Sequence, residues 1–590
     1  MNALSKNVWK QLSRLFPAND EQSQRAAGLF REYESQGCLN EPASTLLGLS
    51  LETTADFFRR AALMHSLESP ILRRRDTRWM SEFDYTFVNV RAAGIPGKPG
   101  DFLSAALFLT TLRTQGIILA PVTRGESEDL HFLESHAVIR EELVNTRALK
   151  AGMGAELQMA AFCEAAHMLG LVLGFDLDYR VDPFAAVVLN RPELFLWKKE
   201  GIIPRSEEEQ DRLREEVRGR VAVVRKTGQA PQRGLFAAAL EMTELEACTS
   251  EDGSGRAPLS LRLIPKTGTG LGEHRESAVS YWGRVFDLWR DRYGFDFLLL
   301  RGTRESEPQE SAPAGTEPPE TAPLPPEIPD RSLVRRAADA ARKAGVRRNI
   351  GVAAEGRPFD VESFGVQGVD LIIENDEEDR ADKAWFEQTF ALDEKLRRVN
   401  LGRKLRFSVP LAVTPGNTES SSRRERALIR RFTARFLGAG PSRRPLLETM
   451  GAIEGAWGYQ DSLKKNTVMG WMPDPAEARK GVCLENVARS YAEIMNSGER
   501  VDRHLDDRCA WWVIRSKQSL LVPIVSVENE DLLPPEPFNF DFSSYLKDDH
   551  FSTVLEFDFT EERGLLHLSA SSHIAVAGIP YRSFRLYVIN

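Results

Sequence analysis

Residues able to act as nucleophile, acid, base or metal ligand are scattered through this sequence, and few stand at spacings that make a motif. The five cysteines, Cys38, Cys163, Cys248, Cys483 and Cys509, are far apart, odd in number and without a CxxC pair. Neither a disulfide framework nor a zinc site is expected from them, and no metal or other cofactor is implied. No local arrangement yields a Ser-His-Asp or Cys-His constellation. No GxGxxG stands at a strand-to-helix turn, which removes the dinucleotide reading. What remains is a set of charged residues that close apolar runs: Asp176 after Leu171–Phe175, Arg301 after Leu298–Leu300, and Glu355 after Ile350–Ala354. Two carboxyl groups held close together can run acid–base chemistry. One carboxyl beside a guanidinium is instead an ion pair, the bland reading of Glu355 with Arg301. The bland reading of Asp176 is a carboxylate accepting backbone hydrogen bonds at a strand end.

The elements that would position these residues alternate in type. Tyr85–Val90, Ile117–Val122 and Leu171–Asp176 read as buried strands, with helix-like stretches at Asp101–Thr114 and Ala155–Leu169 between them. Gly170 supplies a helix stop. Further strands are expected at Phe295–Leu300, Asn349–Ala354, Gly368–Ile373 and Leu405–Val413, and helices at Ser277–Asp291, Arg331–Ala344 and Arg423–Leu437. Near-continuous apolar strands separated by helices mean a parallel sheet with both faces covered. Seven or eight of them over this length predict an α/β fold, a (β/α)8 TIM barrel, rather than an open sheet. His167 and the tryptophans Trp282, Trp289 and Trp385 lie on the predicted helices, where packing is the default role.

Five segments follow: an N-terminal helical extension over 1–80, the first part of the barrel over 81–181, an insertion after the third strand over 182–275, the second part of the barrel over 276–505, and a C-terminal antiparallel β-sandwich over 506–590. Within the fourth, 303–329 is rich in Pro, Glu, Ser, Thr and Ala, too poor in apolar surface to order itself. The C-terminal segment shows short β-rich runs at hairpin spacing, among them Trp511–Ile514, Ser519–Val525 and Phe584–Ile589.

Composition narrows the function classes. Of 590 residues, 42% are hydrophobic and 28% charged, an ordinary globular balance, and the net charge of −9 argues against a nucleic-acid partner. Arg73–Arg75, Arg423–Arg424 and Arg443–Arg444 read as solvated faces among acidic neighbours. The first residues carry no secretory-type apolar run, and no stretch of membrane-spanning length is apolar, so a cytoplasmic location is expected.

Several short segments, taken in order, resemble the α-amylase superfamily, glycoside hydrolase family 13. They are Ala166-His167-Met168-Leu169-Gly170 with Leu173-Gly174-Phe175-Asp176; Asn190 to Phe195; Tyr281-Trp282 through Tyr293-Gly294-Phe295-Asp296; Ile350 to Glu355; and Asn466 to Trp471. The resemblance runs from about residue 80 to the end. It implies a barrel with an insertion after the third strand, a terminal sandwich, and a retaining mechanism with a carboxylate nucleophile and a carboxylic acid about 5–5.5 Å apart. It also implies where the departures lie. The family follows its first aspartate with Asn-His; here Asp176 is followed at those positions by Arg180 and Val181. The family's arginine and nucleophile positions are Leu299 and Arg301. Glu355 matches the general acid, and Gly416-Asn417-Thr418 stands where the family has Asn-His-Asp, so Thr418 replaces the third acid.

An acid without its nucleophile cannot run a double displacement. The resemblance therefore implies a pseudoenzyme with Asp176, Arg180 and Asn417 as remaining substrate-binding positions. Its partner would be an α-glucan or other oligosaccharide, or a protein docking through the N-terminal helices or the sandwich. The alternative is an active α-glucosidase or glucosyltransferase on maltooligosaccharides or trehalose, with Glu355 as acid and a relocated carboxylate.

Overall fold

A computed structural model of the chain describes residues 69–71, 74, 76–93, 99–109, 112, 114–125, 135–150, 152–178, 180–181, 259–260, 284–301, 350–355, 369–373, 381–399, 406–410, 421–439, 445–449, 475–517, 519–528, 537–545, 553–559, 563–567, 573–576 and 578–590. Most of the N-terminal extension, most of the insertion, the Pro-rich stretch and the predicted helix at 331–344 lie outside the described residues, as do Trp282, Asn417 and Thr418.

Eight parallel strands close into a barrel. They are β1 (Tyr85–Val88), β2 (Gly116–Leu119), β3 (Val172–Asp178), β4 (Phe297–Arg301), β5 (Gly351–Glu355), β6 (Leu371–Ile373), β7 (Arg406–Pro410) and β8 (Leu446–Thr449). The order around the barrel follows the chain, and β8 returns to β1 through the pairs Tyr85↔Leu447, Thr86↔Glu448 and Phe87↔Thr449. Burial of every residue in Tyr85–Val88 and Gly116–Leu119 is what a parallel strand with two covered faces requires. The first seven strands overlap the predicted runs with shifted ends: β1 stops at Val88 rather than Val90, β3, β4 and β5 run on to Asp178, Arg301 and Glu355, and β8 corresponds to no strand expected from the sequence.

Alternate residues of the strands fill the barrel. Tyr85, Phe87, Ile118, Val172, Phe297, Leu299, Ala353, Leu371 and Leu447 meet there, with Trp79 and Met80 of the short helix α1 (Trp79–Glu82) joining the same core. The Tyr85 hydroxyl donates to the Met80 carbonyl at 2.9 Å, and the Phe297 ring stands edge-on to Trp79 and Tyr85 at 5.9 and 5.2 Å between centroids.

Outside the barrel, α2 (Phe102–Phe108) packs on α3 (Ala155–Met168). The stop after α3 is a Schellman turn: Gly170 takes φ +79° and donates to the His167 carbonyl at 2.9 Å, while Leu171 donates to Ala166 at 3.0 Å. His167 is a packed residue, its Nε2 3.1 Å from Asp296 Oδ2. In the helix at 284–293, Trp289 is wholly buried and stacked on Phe175 at 4.0 Å. Trp385 lies on α4 (Lys383–Val399), partly buried against the cluster that α4 shares with α5 (Ser421–Phe436) and α6 (Pro475–Ser490).

Strand starts are knit by side chains one residue ahead of them. Asp84 Oδ1 accepts from the Leu446 N–H at 2.8 Å, Asp296 Oδ2 from Leu173 at 2.8 Å, and Asp370 Oδ2 from Val352 at 3.0 Å. Gln115 Oε1 accepts from the Asp84 N–H at 2.9 Å. Each bond joins a strand to its neighbour in the barrel.

The C-terminal region is a six-stranded antiparallel sheet opening with β9 (Glu499–Leu505), ahead of the expected start at 506, followed by β10 (Cys509–Arg515) and β11 (Leu520–Ser526). One face packs Trp512, Ile514, Phe584 and Leu586 on Phe386, Phe390, Ile429 and Phe432 of the barrel helices. The other packs Val513, Val522 and Tyr587 on Phe540 and Ile574 of a two-stranded sheet, Phe538–Asp541 with His573–Val576. Among the described residues no helix is long and apolar enough to cross a membrane.

A buried ion network sits outside the seam where β8 meets β1. Arg431 and Arg435, one turn apart on α5, face Glu448 of β8, Glu485 of α6 and Asp84. Arg435 grips Glu485 bidentately, Nε to Oε1 at 3.0 Å and Nη2 to Oε2 at 2.5 Å. It also bonds Asp84, while Arg431 bonds Glu448 and reaches Glu485 at 2.8 Å. Burial pushes the Glu448 carboxyl up to about 7 against the pull of Arg431. Burial would raise Glu485 too, but Arg435 and Arg431 outweigh it and hold that carboxyl down at about 2. Glu485 therefore contributes stability above the ordinary carboxylate range that is lost as pH falls toward 2. Glu448 binds a proton more readily folded than unfolded, so its contribution declines as pH rises from about 4.5 to 7. Glu485→Gln is expected to cost about 3–5 kcal/mol in urea unfolding at neutral pH. Glu448→Gln should cost less and flatten the pH dependence of the midpoint over that interval; equal losses from the two variants would contradict this account.

Candidate site at the C-terminal rim of the barrel

Strand register decides which sequence-predicted residues come together. Gly174 pairs with Phe297 and Phe297 with Gly351. One step up, Asp176 pairs with Leu299 and Leu299 with Ala353. At the strand ends Asp178 pairs with Arg301, and Arg301 and Glu355 each follow the pair Leu300↔Ala354. Phe297, Leu299 and Ala353 belong to the barrel core. Asp178, Arg301 and Glu355 thus stand at the ends of three neighbouring strands, two positions beyond Asp176, Leu299 and Ala353.

The floor of this site is formed by a close approach. A Cβ on Gly174 would stand 2.1 Å from Phe297 Cζ, and one on Gly351 2.1 Å from Met80 Sδ. Only a residue without a side chain fits at either place. Asp176, a step above, is completely buried in the wall between Phe175 and Leu177. It is therefore part of the packed barrel rather than an exposed rim group.

The remaining expected residues divide. Arg301 and Glu355 are the last residues of β4 and β5, on adjacent strands at the end where barrel active sites form. Arg180 lies beyond β3, in a two-residue strand whose antiparallel partner is Leu259–Ser260, with Arg180 opposite Ser260. The chain thus leaves the barrel after β3 and returns alongside itself, the base of an insertion. Asp178 was missed in the sequence reading. The signal for it was available, since it stands two residues after Asp176 in the run Val172–Asp178.

Eight parallel strands in chain order, an excursion after the third and an antiparallel sheet at the C-terminus set the architecture, and solved structures share it. The α-amylase of Anoxybacillus matches with a TM-score of 0.53 over 87% of this chain and 99% of its own, at 11% identity. The fold is that of the α-amylases. The α-amylase of Geobacillus thermoleovorans, solved with acarbose, gives a TM-score of 0.53 over 88% and 99%, also at 11% identity. Trehalose-6-phosphate hydrolase of Bacillus licheniformis gives 0.51 over 87% and 99% at 11% identity. No family model matches the sequence, and no curated protein matches it.

Within this amylase fold, the rim of β3, β4 and β5 carries a carboxylate, a guanidinium and a carboxylate in neighbouring positions. The floor beneath it should be intolerant of volume. Gly174→Ala is expected to lower stability by about 1–3 kcal/mol in urea unfolding despite the entropic benefit of removing a glycine. A neutral or stabilising result would show that Phe297 can move aside.

Proposed function

We propose that this chain is an α-amylase-type barrel without glycoside hydrolase activity, serving as an α-glucan-binding scaffold. The observation that carries this reading is Arg301 at the end of β4, in register with Asp178. A retaining glycosidase stabilises an oxocarbenium-like transition state with a carboxylate on one side of the scissile bond and protonates the leaving oxygen from the other. A fixed positive charge at the position that the resemblance gives to the nucleophile opposes this, raising the cost of the developing cation and supplying no carboxylate to attack. Thr418, at the position of the third acid, offers no charge to replace it, and Asn417 and Arg180 remain as hydrogen-bonding positions. The acarbose complex of the Geobacillus relative supports carbohydrate as the ligand class of this architecture.

A second reading rests on the same pair. Asp178, adjacent to Arg301, is a carboxylate that a relocated double displacement could use with Glu355, giving an active α-glucosidase or glucosyltransferase.

Calorimetric titration of the purified protein with maltose, maltoheptaose and trehalose, with product analysis of the same samples, separates these. Saturable binding of maltoheptaose without new products is the expected result. Hydrolysis or transglycosylation lost on Glu355→Gln would overturn it, and loss on Asp178→Asn as well would establish the relocated pair. Neither binding nor turnover would remove carbohydrate from the reading and leave a protein-assembly scaffold.

A further inference from the structure

We infer that the turn joining β9 to β10 is a binding site for a divalent transition metal of the zinc class, held by His504, Asp506 and Cys509. The ligand atoms of these three side chains all lie within 4.8 Å of one another. His504 Nε2 is 3.0 Å from Asp506 Oδ2, and Cys509 Sγ is 3.9 Å from the same oxygen. In a tetrahedral zinc site the metal stands about 2.0–2.2 Å from nitrogen and oxygen and about 2.3 Å from sulfur, which places the ligands on the order of 3.3–3.8 Å apart. Two of the separations are thus close to a metal-holding geometry and the third lies within 4.8 Å, with one nitrogen, one oxygen and one sulfur, the mixed donor set that borderline-soft metals prefer.

Each ligand is oriented by something other than its companions. Asp506 Oδ1 accepts from the backbone N–H groups of Arg508 and Cys509, both at 2.7 Å, which leaves Oδ2 aimed at the imidazole and the thiol. The turn itself is closed by the Asp506 N–H on the Cys509 carbonyl at 3.0 Å. The His504 ring lies flat on Trp511, 5.2 Å between centroids at 16°. Cys509 is the first residue of β10, paired with Ser526, and is buried. Such anchoring is what holds first ligands in place at metal sites. A metal bound at Cys509 Sγ would displace the thiol proton to solvent as the sulfur–metal bond forms. His504 and Asp506 are exposed, so water completes the coordination from the open side. The neighbouring charges are balanced, since Asp507 is taken up by Lys383 at 2.6 Å. Spacing alone, His-x-Asp-x-x-Cys, hid this cluster from the sequence reading, which looked for paired cysteines.

The full chain, stripped with a chelator and kept reduced, would be titrated with zinc against a chromophoric competitor and separately with cobalt(II). One zinc equivalent should bind at least tenfold more weakly to His504→Gln and to Cys509→Ser than to the wild type. Cobalt should give a thiolate charge-transfer absorption in the wild type that Cys509→Ser lacks. If the serine variant does not fold, His504→Gln, at an exposed position, decides the question alone. Zinc affinity that neither variant changes, or the absence of a thiolate band with cobalt, would overturn the site.

Discussion

Everything in this barrel depends on β8 finding β1. A parallel sheet of eight strands left open would expose two rows of unpaired backbone groups, and closure removes both. The pairing is short, three residues from Tyr85↔Leu447 to Phe87↔Thr449, so side chains must help hold it. Asp84 does so twice, accepting the Leu446 N–H on one oxygen and Arg435 on the other. Around it two guanidiniums meet three carboxyls with almost no solvent. Such a group is expensive to desolvate, and it is tolerated because nearly every ion has more than one partner. The leftover carboxyl resolves its charge by titration, which is why burial lifts Glu448 to about 7.

Closure in that register determines what stands at the opposite end. With Gly174, Phe297 and Gly351 locked together at the floor, residues two and four positions further along follow without freedom to choose. Directly paired residues on adjacent strands have backbones about 5 Å apart. The proposed loss of hydrolysis rests on which residue type stands at the end of β4 and needs no distortion of the barrel.

The fold was legible in the sequence because its signals are local. Apolar runs of four or five residues marked the strands, and Gly170 marked the end of the helix before β3 with the left-handed turn that only glycine takes easily. The charged seam was not legible. Ser421–Phe436 reads as an arginine-rich, solvated helix, and nothing local distinguishes Arg431 and Arg435, which turn inward, from the arginines of a solvated face. Their partners are Glu448, Glu485 and Asp84, the last more than 300 residues away in sequence, so the pairing exists only once the barrel has closed. The candidate site was half legible. Glu355 and Arg301 end their strands as expected, whereas the pairing of Asp178 with Arg301 depends on a register that no single strand specifies.

Stability and chemistry occupy different ends of this barrel. Asp84, Asp296, Asp370 and Gln115 knit the strand starts, and the glycine and aromatic floor fills the space just above them. None of these contacts involves the strand ends at Asp178, Arg301 and Glu355. A substitution at those strand ends leaves every one of these strand-start bonds in place, so residue types at the rim can vary without weakening the base of the scaffold. The antiparallel sheet adds to that independence, since it packs on the barrel helices through Trp512, Phe432 and Phe390 and ties β9 to α4 through the buried pair Arg500–Asp393 at 2.5 Å. The barrel is thus braced at its base and along its flank by contacts that the residues at its rim do not supply.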